Sequence, residues 1–176
     1  MKLARCYKLK MVLNNTEHHL NRLIETTPWV FPSYKGVKSN RGVCSTGVAY
    51  RYSGILVETC PWDKAIYDLM QRINKELGTS FNACLLNYYP ANVYVGIGMH
   101  SDNEPELVDD PVVVSVSLGS SIVFELKGQG EHTLRSLDDG DVFVMGAGTQ
   151  KYYQHAIPRT KLQKPRVSLT FRQFRD

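Results

Sequence analysis

The chain has 176 residues and a formal net charge of +4, and its apolar runs are far shorter than the roughly 20 residues of a membrane span. A chain of this length suits one domain that buries about 70% of its unfolded surface, so neither a metal nor a disulfide is needed to hold it together. The four cysteines form no C-x-x-C pair, which argues against a zinc ribbon or a thioredoxin-type site, and we expect reduced thiols. Basic residues interrupt the apolar stretch at the N-terminus, which therefore makes a poor signal peptide and predicts a cytoplasmic protein.

The charges are unevenly distributed along the chain. Residues 1–58 hold nine basic and three acidic side chains, residues 59–150 hold five and thirteen, and residues 151–176 hold seven and one. Two basic flanks therefore enclose an acidic middle. The flanks can receive phosphates if they converge in the fold, and otherwise they are ordinary solvated surface.

The first predicted helix covers residues 16–25 and is capped by Thr16, with Leu20, Leu23 and Ile24 facing inward. A second, clearer helix covers residues 62–77.

The second helix is bounded by punctuating residues at both ends. Its apolar stripe has helical spacing, Pro61 lies near its start and Gly78 follows its end. We assign this helix to the scaffold.

Residues 29–54, between the two helices, interleave aromatic and basic side chains among four glycines. Such a segment can form a flexible flap over a flat, anionic partner, because rings stack on bases and cations contact phosphates. An ordinary set of hairpins is the alternative.

After the second helix the sequence predicts eight short strands, many of them separated by glycine-containing or acidic turns. The predicted strands are residues 81–89, 93–100, 112–118, 121–126, 131–135, 141–145, 152–157 and 166–174. This order of elements favours a mainly β fold with flanking helices, a β-sandwich or jelly roll, over a parallel α/β sheet.

The stretch GMHSDNEP, residues 98–105, places His100 and Asp102 two residues apart at a predicted strand end, where both project to one side. One more imidazole would complete the two-histidine, one-carboxylate set that suits non-haem Fe(II). The candidates for this third ligand are His18, His19, His132 and His155. The first two lie in a predicted helix, and the third follows a glycine-rich turn. The last lies on a late apolar strand that a jelly roll would bring beside an early one.

The last predicted strand, RVSLTFR, alternates polar and apolar residues. Arg166, Ser168, Thr170 and Arg172 share one face, which we expect to line the interior of a barrel mouth because the opposite face must pack. Each of the two guanidiniums can clamp a carboxylate by paired hydrogen bonds. Asn87 and Tyr89 similarly share a face of an earlier strand. Together these residues predict a site for a small dicarboxylate beside a metal.

In residue type and order, these motifs resemble the AlkB family of Fe(II)- and 2-oxoglutarate-dependent dioxygenases, although the gap from Asn87 to His100 runs slightly long. The match covers about residues 80–174, with looser similarity at YRYSG, residues 50–54. The compact chain further resembles AlkB-like domains within replicase polyproteins of plant RNA viruses. The resemblance implies a single domain over residues 1–176, with N-terminal helices and a nucleotide-recognition lid in 1–80 and a double-stranded β-helix (jelly roll) core in 81–176.

The resemblance also implies a role for each motif residue. It assigns Fe(II) to His100, Asp102 and His155, the distal carboxylate of 2-oxoglutarate to Arg166 with Tyr89, and its metal-chelating end to Arg172 with Asn87. It assigns the exocyclic amine of a target base to Glu104 and a lid over the flipped nucleotide to Tyr50 and Tyr52. The chain has Ser168 where family members often have Asn, which predicts a weaker hydrogen bond to the cosubstrate.

The implied reaction consumes 2-oxoglutarate and O2, releases succinate and CO2, and removes an N-methyl group as formaldehyde. The implied substrates are 1-methyladenine and 3-methylcytosine in single-stranded nucleic acid, with RNA preferred over DNA, inside a larger viral polyprotein in the host cytoplasm. Two alternatives share the fold: a 2-oxoglutarate oxygenase acting on a protein side chain, and a non-catalytic nucleic-acid-binding module. A plain metal-binding cupin is disfavoured because it has no need of paired arginines.

Overall fold

The computed structural model of the protein describes residues 6–52 and 54–175, except for the side chain of Tyr52. The first half of the chain contains β1 (Cys6–Leu9), α1 (Thr16–Thr26), β2 (Ser33–Tyr34), β3 (Val37–Lys38), β4 (Gly42–Thr46), β5 (Tyr50–Tyr52), β6 (Ile55–Val57), β7 (Thr59–Cys60) and α2 (Lys64–Leu77). The second half contains β8 (Ala83–Tyr89), β9 (Tyr94–His100), β10 (Val113–Gly119), β11 (Ile122–Gly128), β12 (Glu131–Leu137), β13 (Val142–Met145), α3 (Thr149–Tyr152), β14 (Tyr153–Lys161) and β15 (Arg166–Arg172). Within these described ranges, no helix is long and apolar enough to cross a membrane.

The strands form two large sheets and two small hairpins. The seven-stranded sheet has the order β1-β13-β10-β15-β8-β4-β7, and the four-stranded sheet has the order β12-β11-β14-β9. Neighbouring strands of the large sheets are antiparallel except for β4 and β7. The predicted mainly β jelly roll with flanking helices is confirmed.

The two large sheets pack face to face, because buried side chains from both of them form one cluster. The cluster includes Tyr89, Val113, Phe143, Val95, Phe124 and Ile157. On the other face of the seven-stranded sheet, the two long helices bury their apolar stripes against β10, β13 and β15. This layering leaves a space between the sheets at the end where β9, β14 and β15 meet.

Both predicted helices are present. Asp63 caps α2 by accepting a hydrogen bond from the Ile66 amide (3.2 Å), and Gly78 ends the helix in the left-handed conformation that glycine tolerates. The predicted cap of α1 is wrong: Asn15 takes the cap position at φ 54°, and Thr16 is the first helical residue. The Thr16 hydroxyl instead donates to Asp139 Oδ2 (2.6 Å), a tertiary contact that local sequence does not reveal.

Residues 29–54 contain paired strands, as in the hairpin alternative. Strands β2 and β3 pair with each other, β5 pairs with β6, and β4 joins the seven-stranded sheet. The four cysteines are free thiols, as expected, and two of them, Cys44 and Cys84, are buried.

Candidate active site

Two histidines meet on neighbouring strands of the four-stranded sheet. His100 is the last residue of β9, His155 lies in β14, and the strand register pairs them directly with ring centroids 4.3 Å apart. Phe124 stacks on the buried His155 ring at 5.3 Å and fixes its plane. Antiparallel pairing therefore brings together two residues that are 55 positions apart in sequence.

Asp102 completes the cluster. Its Oδ1 atom lies 3.6 Å from His100 Nε2 and 3.8 Å from His155 Nε2, and all three atoms lie within 4.8 Å of one another. His100 Nδ1 is 2.8 Å from the Gly98 carbonyl oxygen, so Nδ1 carries the proton and the Nε2 lone pair points into the cluster. Two imidazole nitrogens and one carboxylate oxygen fit Fe(II) and leave other coordination positions open.

The ionisation states of the cluster also suit a metal. Burial lowers the pKa of His155 to about 4, although Asp102 partly opposes the shift, so the imidazole is neutral near pH 7. Burial by itself raises the pKa of Asp102, but Arg172 and the two histidines lower it by more, and the net pKa lies below its usual value. His155 and Asp102 are therefore already in the protonation states that metal binding requires.

Arg166 and Arg172 lie at opposite ends of β15. Arg166 is 1% exposed, and its Nη2 donates to Ser117 Oγ (3.0 Å), whereas its Nε and Nη1 are buried without a hydrogen-bond partner. Its guanidinium lies 5.1 Å from the centre of the Tyr89 ring, on the paired strand β8. Burial lowers the pKa of Arg166, which Tyr89 partly offsets. A buried guanidinium with unpaired donors is costly, so this corner is built for an anion.

Arg172 directly contacts Asp102, one of the three candidate metal ligands. Its Nε and Nη2 atoms lie 3.0 Å and 2.9 Å from Asp102 Oδ2, while its Nη1 is buried without a partner. Burial lowers the pKa of Arg172, but Asp102, Tyr50 and Glu104 together raise it by more, so the net shift is upward. Between the two arginines, Ser168 pairs in register with Asn87, whose Oδ1 is also buried without a partner.

Apart from Ser117, these side chains line one cavity of about 770 Å³. Its size is within the range of small-molecule sites. Of the residues predicted from the sequence, the cavity contains Asn87, Tyr89, His100, Asp102, Glu104, Tyr50, His155, Arg166, Ser168 and Arg172. Tyr52 lies on β5, and its side chain is outside the described part of the chain.

Glu104 and Tyr50 lie in contact with each other in the lining of the cavity. The Tyr50 hydroxyl donates to Glu104 Oε1, and Glu104 Oε2 is buried without a hydrogen-bond partner. Burial raises the pKa of Tyr50 well above its usual value, so the phenol stays protonated and acts as a donor. One carboxylate oxygen is thus held by the protein while the other can accept from a ligand.

The remaining histidines lie outside this site. His18 and His19 are on α1, and His132 on β12 pairs with Glu125 at 2.7 Å. Sequence reasoning missed Gln150, whose Oε1 accepts from the Asp102 amide (2.9 Å), as well as Phe124 and Ser117. Only Ser117 carries a sequence signal, because it is a polar residue in the apolar run VVVSVSL.

Comparison with known proteins agrees with this geometry. A family model described as the 2OG-Fe(II) oxygenase superfamily matches residues 7–172, and the chain belongs to that superfamily. The chain also carries the His100, Asp102 and His155 ligand set that fits the Fe(II) of this superfamily. Within the superfamily it is an AlkB-like domain.

Three curated relatives illustrate the similarity. The chain is 35% identical over 136 residues to human alpha-ketoglutarate-dependent dioxygenase alkB homolog 3, covering 70% of this chain and 47% of that protein. It is 33% identical over 140 residues to DNA oxidative demethylase ALKBH2 of Bos taurus, covering 73% and 50%. It is 35% identical over 125 residues to the RNA replication protein of Grapevine virus A (isolate Is 151), covering 70% and 7%. The chain therefore spans half or less of each of these proteins.

The solved structure of OsALKBH1 shares the fold. Its TM-score to this protein is 0.65 at 22% sequence identity, with 96% of this chain and 97% of that chain covered. The likeness extends the jelly-roll assignment over nearly the whole chain.

Proposed function

We propose that the protein oxidatively demethylates N-methylated bases, 1-methyladenine and 3-methylcytosine, in single-stranded nucleic acid. One observation carries the proposal: Glu104, with a buried and unpaired oxygen, lines the same cavity as the metal cluster. Both methylated bases are cations that keep an exocyclic amino group. A carboxylate facing the cavity offers them a counter-charge and a hydrogen-bond acceptor.

In this proposal His100, Asp102 and His155 bind Fe(II). When bound, iron with 2-oxoglutarate and O2 supplies the hydroxylation of the N-methyl group, which is then lost as formaldehyde. The protein contributes placement: Gly98 orients the His100 ring, and the Asp102 amide is held by Gln150. Support comes from the convergence of three ligand atoms and from the superfamily match.

We propose that Arg166 with Tyr89 binds the distal carboxylate of 2-oxoglutarate. The two unpaired guanidinium nitrogens provide the donors for a paired contact with that carboxylate. At the other end of β15, Arg172 Nη1 and Asn87 face the carboxylate that chelates the metal. Ser168 lies between these positions and contributes one hydroxyl.

On the substrate side we assign Glu104 to the exocyclic amine and Tyr50, with Tyr52, to the lid over the flipped base. The Tyr50 hydroxyl fixes Glu104, so that Oε2 is the oxygen left for the base. A methylated base inside a duplex cannot reach atoms at the bottom of this cavity, and the enzyme must use single strands or extrude the nucleotide. We propose that residues 1–80 supply the lid and helices and that residues 81–176 form the catalytic core.

RNA is the proposed preferred polymer, in a viral replicase that works in the cytoplasm of the host cell. The relative from Grapevine virus A is an RNA replication protein, which supports this choice. The relative named DNA oxidative demethylase supports DNA as the second candidate. We therefore propose a test that compares the two polymers directly.

The test is mass spectrometry of matched single-stranded RNA and DNA oligonucleotides carrying either methylated base, incubated with protein, Fe(II), ascorbate and 2-oxoglutarate. Loss of the methyl mass by the wild type, absent in His100→Ala, is the expected result, and its rate is expected to be higher on RNA. Succinate formation without any methyl loss would contradict the proposal and direct the search to peptide hydroxylation. Binding of the strands without succinate formation would indicate a non-catalytic module.

A further inference from the structure

An exposed aromatic side chain stands on the edge strand that leads out of the active-site cavity. Tyr94 begins β9, is 49% exposed, and carries the Arg159 guanidinium over its ring at 4.0 Å from the centroid. Lys161 is paired with Tyr94 in the strand register and is exposed as well. We call these three residues the Tyr94 platform.

The Tyr94 platform is joined to the mouth of the cavity. Asn40 Nδ2 donates to the Tyr94 carbonyl oxygen (3.1 Å), and the neighbouring residues Ser39 and Arg41 line the cavity. Gly96, two residues after Tyr94 in β9, also lines the cavity. A chain leaving the cavity along β9 therefore passes directly to the platform.

The basic side chains around the Tyr94 platform favour binding of a polyanion. Residues 33–51 contain four basic and no acidic side chains, and residues 151–164 also contain four basic and no acidic ones. Both segments contact β9 at Tyr94, the first through Asn40 and the second through the pairing of Lys161 with Tyr94. Neither platform cation has a role in the metal cluster or in the proposed cosubstrate site.

We propose that the Tyr94 platform binds single-stranded nucleic acid flanking the target nucleotide, by stacking a base on the Tyr94–Arg159 pair and by contacting phosphate through Arg159 and Lys161. Rings and planar guanidiniums stack on any base, so the contact is independent of sequence. The proposal rests on the proposed function, since it extends the strand whose target base enters the cavity.

Geometry predicts that this contact depends on strand length. Tyr94 and the cluster residue His100 are six residue steps apart along β9, a path of about 20 Å. A strand of one or two nucleotides that occupies the cavity cannot also reach the platform. A strand of about ten nucleotides can bridge both positions, given its phosphate spacing of at least about 3.4 Å.

The experiment measures fluorescence anisotropy of labelled, unmethylated RNA strands, one of about ten nucleotides and one dinucleotide. The protein is supplied with Fe(II) and 2-oxoglutarate under argon. The wild type is expected to bind the longer strand more tightly. Tyr94→Ala is expected to lower the affinity ratio of the two strands at least fivefold, whereas Tyr94→Phe, which keeps the ring, retains it.

A charge-matched pair of variants separates the platform from overall charge. Arg159→Glu is expected to lower the affinity ratio. It is also expected to reduce the slope of the logarithm of long-strand affinity against the logarithm of salt concentration by about 0.7 per lost phosphate contact. Lys75→Glu makes the same sign change on α2, away from β9, and is expected to leave the ratio within twofold of wild type. An Arg159→Glu loss no larger than that of Lys75→Glu, or a Tyr94→Ala ratio equal to that of wild type, would overturn the platform.

The readout also separates this inference from the proposed function. The strands carry no methyl group, so their binding is measured without any demethylation. Length-dependent binding that requires Tyr94 would support the platform even if the demethylation assay failed. Methyl loss together with strand binding that does not depend on Tyr94 would refute the platform as a binding site and would still support the proposed function.

Discussion

Arg172 holds Asp102 by a single carboxylate oxygen. Both its Nε and its Nη2 lie within 3.0 Å of Oδ2, which leaves Oδ1 facing His100 and His155. The arginine therefore orients the carboxylate and decides which oxygen is available as a ligand. Because its Nη1 remains unpaired in the cavity, the same side chain can also contact the cosubstrate.

This relationship predicts that Arg172→Lys weakens metal binding even without 2-oxoglutarate. Lysine keeps the charge but loses the fork that fixes Oδ2, and partners that orient metal ligands typically contribute about tenfold to a hundredfold in affinity. Calorimetric titration with Co(II) in the absence of cosubstrate measures the effect. Arg72→Lys on α2 is the matched control and is expected to bind as wild type. Unchanged Co(II) affinity in Arg172→Lys would show that the arginine does not orient the ligand.

Arg166→Met tests the proposed cosubstrate site. Methionine replaces the guanidinium with an apolar chain, and we expect the KM for 2-oxoglutarate to rise about tenfold to a hundredfold, the usual cost of losing hydrogen bonds to a charged group. The unliganded protein is expected to lose little stability, because two of the guanidinium nitrogens have no partner there.

Thermal unfolding with and without 2-oxoglutarate checks both expectations for Arg166. Cosubstrate at a hundred times its Kd stabilises the wild type by about 2.7 kcal/mol, and this gain should disappear in the variant. A variant whose Tm is strongly lowered without cosubstrate would instead indicate that Arg166 supports the fold.

Glu104 variants test recognition of the base. Glu104→Ala removes the acceptor and the counter-charge, so we expect the ratio of demethylation to nucleic-acid-independent succinate formation to fall more than tenfold, by about 1.5 kcal/mol or more. Glu104→Gln keeps an oxygen acceptor and is expected to lie between Ala and wild type. Parallel assays of formaldehyde and succinate give the ratio. An equal loss of both products would refute a role in base recognition.

The fold and most of the site could be predicted because their signals are local. Polar residues at every second position of RVSLTFR mark a strand with a polar interior face, and the structure buries all of them. The H-x-D pair at a strand end likewise places two ligands on one side. His155 needed the additional argument that a jelly roll pairs late strands with early ones, which the register with His100 bears out.

The remaining features depend on tertiary contacts that leave no local pattern. Gln150 follows a turn and reaches the Asp102 amide only because α3 lies beside the cluster. Thr16 has the composition of a cap, yet Asn15 tolerates the left-handed conformation and takes that position. The sequence also does not reveal that two nitrogens of Arg166 are unpaired, because this depends on which side chains the fold places around the guanidinium.

Asp63 both caps α2 and pairs with Arg22 of α1, which predicts a stability that depends on pH. Burial by itself raises the pKa of the Asp63 carboxyl, but hydrogen bonds from Arg22 and from the helix amides lower it by more, so the net pKa lies below its usual value. The unfolded chain, with an Asp pKa of about 3.9, then binds more protons than the folded one as pH falls. The contribution is present above about pH 4 and is lost as pH falls through the lowered pKa.

We expect Asp63→Ala to reduce the free energy of unfolding at pH 7 by about 1 to 2 kcal/mol, from the lost cap and the partly exposed ion pair together. Asp63→Asn keeps an acceptor for the Ile66 amide and is expected to lose only the ion-pair share, at most about 1 kcal/mol. Urea unfolding at pH 7 and pH 3 measures both. The gap between Asp63→Asn and wild type should narrow at pH 3, which lies below the unfolded pKa, because the unfolded wild-type chain then binds a proton that the ion pair disfavours in the folded one. Lys64→Ala, which breaks the exposed pair with Asp68, is the control and should change stability by less than about 0.5 kcal/mol. An Asp63→Asn deficit that stays constant between the two pH values would contradict a charge-dependent link between the helices.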